Sequence, residues 1–117
     1  MKICHVALLV SRVFLVPFAS AQHLSASQAK GHEGETATVC GVVAGTHTAT
    51  SSRGTPTFIN LDVPYPRQVF TVLVWGEDRG NVGTLPKDGE HVCVTGPIKD
   101  YRGVPEIEVH NKQQVTR

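Results

Sequence analysis

The sequence predicts an all-β domain, a small closed barrel of five short strands with Greek-key connections. Three observations predict it. Apolar residues alternate with polar ones over short runs rich in Val, Ile, Phe and Thr. Clusters of Gly, Pro, Asn, Asp and Ser punctuate those runs. No stretch beyond the N-terminus carries the periodicity of a long amphipathic helix.

The first 21 residues read as a targeting segment rather than as part of the fold. Lys2 supplies a positive start, Ile3 to Phe18 is mostly apolar, and Ala19-Ser20-Ala21 is a small-x-small cleavage pattern. This predicts a signal peptide over 1–21, cleavage after Ala21, and a periplasmic or secreted protein with no stable membrane span after cleavage. His5 and Arg12 interrupt the apolar run, and an uncleaved anchor is the alternative. Cys4 precedes the apolar run, which is the wrong place for a lipoprotein. Removing those 21 of 117 residues leaves 96, enough for one core and too few for two. Residues 22–36 form an N-terminal segment and 37–117 the barrel domain. With Lys2 and Arg12 gone, 9 Lys and Arg face 10 Asp and Glu, a net charge of −1 with His neutral. A domain that holds nucleic acid mainly through phosphates is normally basic, so this balance argues against that class.

Ser25 to Lys30 is compatible with a short helix, capped by Ser25 and ended by Gly31. The first strand is expected over Thr38–Ala44, followed by a small, polar loop from Gly45 to Pro56. Thr57–Val63 is the second strand, stopped by Pro64-Tyr65-Pro66. Gln68–Gly76 is the third and most apolar. Asp78 to Glu90 holds Gly, Asp, Asn and Pro86, leaving room for a short helix at most. His91–Ile98 is the fourth strand, Lys99 to Gly103 a turn with Gly103 at positive φ, and Val104–His110 the fifth.

The strand parities fit an OB barrel, in which the first and fourth strands are antiparallel neighbours. Val39, Gly41 and Val43 share one face of the first strand; Val92, Val94, Gly96 and Ile98 share one face of the fourth. Cys40 and Cys93 point away from those faces. They are the two cysteines left after cleavage, and in an oxidising compartment a bridge between them is expected, with a pair of buried free thiols as the alternative. Gly41 and Gly96 lie inside strands, where glycine marks a tight bend or a close backbone approach. Pro105 lacks an amide proton, so the fifth strand reads as an edge there.

Five segments in order carry a likeness to a family. Val39-Cys40-Gly41-Val42-Val43, Pro56-Thr57-Phe58-Ile59-Asn60-Leu61-Asp62 and Phe70-Thr71-Val72-Leu73-Val74-Trp75-Gly76 are the first three. Val92-Cys93-Val94-Thr95-Gly96 and Tyr101-Arg102-Gly103-Val104-Pro105-Glu106-Ile107 complete the set. Together, over about residues 32–115, they resemble small exported bacterial OB-fold proteins, similar to the OB-fold module attached to some secreted nucleases. The resemblance implies the fold, and by analogy nucleic-acid binding. The helix such domains carry between strands three and four is shortened here by Gly80, Gly83 and Pro86.

No catalytic constellation emerges, and the chain reads as a non-enzyme with no cofactor. Glu106 and Glu108 alternate on one face, which on an edge strand reads as a solvated surface rather than an acid–base pair. His23, His32, His47, His91 and His110 share no ligand spacing, and no C-x-x-C occurs, so no metal site is expected. There is no Gly-x-Ser-x-Gly elbow. The usual OB binding surface is the outer face of strands two and three with the flanking loops. If Ile59, Leu61, Val72 and Val74 fill the barrel, Phe58, Asn60 and Trp75 emerge on that face, where aromatics stack bases and an amide bonds them. Arg53, Arg79 and Arg102 would add phosphate contacts from loops. Trp75 and Phe58 have a competing role, covering a barrel end beneath the N-terminal segment as packing. Two partners follow: single-stranded DNA or RNA, or an envelope protein or small ligand that uses the barrel as a platform.

Overall fold

The computed structural model describes residues 22–117; the expected signal peptide over 1–21 lies outside them. Five strands close into a ring: β2 (Thr36–Thr48), β3 (Thr57–Leu61), β4 (Thr71–Val74), β6 (Val104–Glu108) and β5 (His91–Tyr101), which returns to β2. This is the all-β OB-like fold that the pattern predicted. All ring contacts are antiparallel except β4 with β6, which is parallel. Two short strands lie beside the ring: β1 (Gln22–Ser25), parallel to β2, and β7 (Val115–Thr116), antiparallel to β5. Neither was expected from the sequence, because each is too short to show alternation.

The two long strands make closure possible. β2 pairs with β5 over Thr36–Val42, then with β3 over Val43–Thr48, with a register shift between Val43 and Gly45. A bulge of this kind bends the strand and sharpens its twist. β5 likewise pairs with β2 over His91–Pro97 and with β6 over Ile98–Tyr101. Gly96 sits at that handover, where a Cβ would lie 2.9 Å from Ile107 Cγ2. Gly41 faces the same limit, 2.8 Å from Asp62 Oδ1. Asp62 fastens the ring there, its Oδ1 accepting from the Val42 N–H at 2.8 Å.

The core follows the predicted parity. Val39, Val43, Val92, Val94 and Ile98 point inward, with Ile59, Leu61, Val72 and Val74 from the facing strands. Ala26 and Ala29 are fully buried against this core, Ala26 in a 3₁₀ turn at Ala26–Gln28 and Ala29 just past its end, where a short helix over Ser25 to Lys30 was expected. The Ser25 N–H donates to Gln28 Oε1 at 2.9 Å, and Gly31 takes φ +93° beyond the turn. Between β4 and β5 the only α-helical turn among the described residues is α1 (Arg79–Val82), ended by Gly83 at φ +77°.

Several boundaries differ from expectation for identifiable reasons. β2 continues through Gly45-Thr46-His47-Thr48, read above as loop. Its β-branched threonines pair with β3, and Thr48 and Thr57 share a hydrogen bond at 2.9 Å. His47 therefore stands on a strand, opposite Phe58. β5 runs on to Tyr101, so the turn is the two residues Arg102 and Gly103, both at positive φ, a tight hairpin of the kind that matches strand twist. β6 is not an edge: it lies between β4 and β5. Pro105 is accommodated because the pairing with β4 begins one residue later, at Glu106.

Candidate functional site

The outer face of β3, β4 and β6 forms the floor of a cleft of about 800 Å³. One wall is the segment between β3 and β4, with Tyr65, Pro66 and Gln68. The other is the β5–β6 hairpin, with Tyr101, Arg102 and Val104. His47 and Phe58 close the β2–β3 end. The size is that of an ordinary small-ligand pocket.

Strand register sets the floor. Asn60 on β3 is opposite Thr71 on β4, and Thr71 is opposite Glu106 on β6. Three polar side chains thus form a row across the sheet, all buried, with Glu106 only 7% exposed. Thr71 Oγ1 donates to Asn60 Oδ1 at 2.8 Å. That bond leaves the Asn60 amide N–H groups and a lone pair of the Thr71 hydroxyl without partners among the described residues. Glu106 has no hydrogen bond or ion pair among them either. Its cross-strand neighbour Lys99 bonds Glu108 instead, at 3.2 Å. Burial raises the Glu106 pKa above its ordinary value of 4.5; the nearby Glu108 carboxylate adds to the rise, Lys99 opposes it, and Asp100 contributes a smaller push upward. Gln68 Oε1, in the wall, is buried and also lacks a partner. Buried polar atoms are ordinarily bonded; among the described residues Gln68 Oε1 is the exception, while the Asn60 amide and the Glu106 carboxylate are open to the cleft. The walls are aromatic: Tyr65 is 77% exposed and Tyr101 is 51% exposed, with the Arg102 guanidinium 5.3 Å over the Tyr101 ring.

The residues expected to form a binding face divide into two groups. Phe58, Asn60 and Arg102 line the cleft. Trp75 and Arg79 do not: they pack under the 49–56 loop. The Trp75 ring lies 2.9 Å from where a Cβ on Gly54 would stand, and Arg79 Nη2 is 3.5 Å from the Thr55 carbonyl oxygen. Arg53 is exposed in that same loop, outside the cleft. Trp75 therefore packs, but under the 49–56 loop rather than under the N-terminal segment, and Phe58 lines the cleft instead of sharing that packing. Glu106 was read as part of a solvated face; the pairing of β6 on both sides buries it. Thr71, Gln68, Tyr65 and Tyr101 were not expected in the site. The outward parity of Thr71 beside Asn60 was the available signal; the others depend on how the connecting segments fold back.

The bridge between Cys40 and Cys93 is present on the far side of the ring, the two residues directly opposed with Cα atoms 4.0 Å apart. Among the described residues no three His, Cys, Asp or Glu side chains gather as a metal site would require. None of their helices is long and apolar enough to cross a membrane.

No family model matches the chain, and no curated protein matches it. Among solved structures it is similar to one described as "a putative aspartyl-tRNA synthetase from Leishmania major Friedlin", with a TM-score of 0.54 and 14% identity. The match covers 88% of this chain and 22% of the other. The chain thus spans about a fifth of that protein's length, and at this identity the likeness carries the fold alone.

Proposed function

We propose that this domain is a non-enzymatic binding module that takes bases of single-stranded nucleic acid into the β3–β4–β6 cleft. The observation that carries the reading is the combination of exposed aromatic walls with a buried polar floor on the OB face. Stacking on such rings holds bases of any sequence, and polar side chains below meet their edges. The structural neighbour's description as a tRNA synthetase is compatible with a nucleic-acid ligand. The signal-like N-terminus and the Cys40–Cys93 bridge favour action in an oxidising compartment, after export. The resemblance to small exported OB-fold proteins points the same way.

Fluorescence anisotropy of the full chain with labelled single-stranded DNA and RNA tests this at low and moderate salt. Measurable binding with a shallow salt slope is expected, because few cations reach the cleft and stacking supplies most of the affinity. No binding to any strand at low salt would overturn it. A second reading, recognition of an envelope protein or small ligand by the same cleft, is favoured by one observation: the buried charge at its floor is a carboxylate, which repels phosphate. Binding indifferent to oligonucleotides but present with envelope extracts would select that reading.

A further inference from the structure

The cross-strand row at the cleft floor has a direction. At its β3 end Asn60 offers amide N–H donors, because its carbonyl oxygen is occupied by the Thr71 hydroxyl. In the middle Thr71, having donated its proton, offers an acceptor. At the β6 end Glu106 offers carboxylate oxygens that nothing else among the described residues engages. Read from β3 to β6 the floor is therefore donor, acceptor, acceptor. The row spans two strand spacings, about 10 Å between the outer Cα positions, and the longer Asn60 and Glu106 side chains can reach toward Thr71 to meet the narrower edge of one base.

The Watson–Crick edges of the bases present different patterns to such a row. Guanine offers an acceptor (O6), then a donor (N1–H), then a donor (the N2 amine). Thymine and uracil offer acceptor, donor, acceptor, and set a carbonyl oxygen against Glu106. Cytosine read in the same sense offers donor, acceptor, acceptor and is opposed at every position; turned end for end, it still sets its N3 acceptor against the Thr71 oxygen. Adenine sets its N1 acceptor against the Thr71 oxygen in either sense. Resting on the nucleic-acid reading above, we infer that the cleft is a pocket selective for an unpaired guanine base. Asn60 meets O6, the Thr71 oxygen meets N1–H and Glu106 accepts from the N2 amine, with the aromatic side chains that line the cleft beside the ring. This arrangement gives the Glu106 carboxylate, open to the cleft and without a partner among the described residues, a charge-assisted donor.

The test uses the full chain and thymidine octamers carrying one central guanine, hypoxanthine, adenine or cytosine, with the all-thymidine strand as reference. The guanine strand should bind about ten-fold or more tightly than the reference. Hypoxanthine, which keeps O6 and N1–H but lacks the N2 amine, should lose most of that gain. Glu106→Gln, which keeps only a neutral carbonyl acceptor for the N2 amine, should weaken the guanine preference while a thermal melt shows the fold intact. Guanosine monophosphate as a competitor separates two sources of the same base: displacement at comparable concentration identifies the free nucleotide as sufficient, and displacement only at far higher concentration identifies the strand. Equal affinity for all five strands would overturn the guanine inference and leave the binding-module reading standing. A guanine preference undiminished in Glu106→Gln would also overturn it. Absence of binding to every strand would remove both.

Discussion

On one side of the ring, where β2 runs beside β5, the outward polar side chains find partners in one another. Cys40 is bonded to Cys93, and two residues along, Thr38 and Thr95 share a hydrogen bond at 2.7 Å. On the other side, β3, β4 and β6 carry Glu106, Gln68 and the Asn60 amide toward a cleft with partners missing. The same architecture thus holds a cross-linked face and a face with unmet polar groups. Leaving a buried donor or acceptor unpaired costs free energy, while a covalent link removes conformations from the unfolded chain. Stability is concentrated on one side, and the capacity to bind on the other.

Cutting the cross-link should have the largest effect. Cys40→Ala with Cys93→Ala opens a loop of 53-residue separation, for which chain entropy gives about 4 kcal/mol. Denaturant unfolding of the double variant against the oxidised protein measures it, and an equal midpoint would show that the link adds nothing. Oligonucleotide affinity of the folded variant should be unchanged, since the cleft lies across the ring. Next is Trp75→Ala. A half-buried ring under Gly54 should contribute about 2–3 kcal/mol, less than a fully buried aromatic. Binding should survive wherever the variant is folded. A loss of binding with the melting temperature preserved would return Trp75 to the ligand face.

Phe58→Ala probes the cleft directly: affinity for single strands should fall about ten-fold from lost stacking, with a smaller change in stability. Glu106→Gln sharpens the comparison through pH. A carboxyl whose pKa is raised in the folded state holds its proton more tightly there than in the unfolded chain. Its favourable contribution is complete below the unfolded value, near 4.5, and is lost as pH rises through the folded value. The Gln variant, with no charge to bury, should therefore melt higher than wild type at pH 7 and much closer to it at pH 4. The groups acting on Glu106 are Glu108, Lys99 and Asp100, with His47, Tyr65, Tyr101 and Arg102 also lining the cleft. Melts at both pH values decide the matter; a Gln variant less stable at pH 7 would mean that the carboxylate is held by the fold after all. Arg102→Ala should give the smallest change, a modest loss of affinity and a salt slope reduced by about 1, with the fold intact.

The five ring strands and the inward set were legible in the sequence because alternation has a period of two and each strand has one buried face. The Cys40–Cys93 pairing was legible for the same reason, once the two strands were neighbours. The site was only partly so. Phe58 and Asn60 could be placed by parity on β3, and Arg102 by its turn. Trp75 obeys the same parity, yet it sits one residue past the end of β4, where the 49–56 loop folds over it. Glu106 was misread because a proline beside it suggested an edge, and sequence does not reveal that β4 arrives one residue later. Tyr65 and Gln68 belong to a connection whose path is set by tertiary packing.

The partner exchange along β2 and β5 has a consequence for behaviour in solution. Where β2 pairs with β5 before meeting β3, its opposite edge is unclaimed by the ring, and β1 occupies it over Ala37–Cys40. Where β5 pairs with β2 before meeting β6, the matching edge is occupied by β7 at Cys93 and Val94. The free edge passes outward to strands of four and two residues. Short terminal strands are poor templates for intermolecular strand addition. The described residues thereby offer little continuous backbone on which a second copy could extend the sheet, so crowding at high concentration finds no long edge among them from which to seed fibrous aggregates.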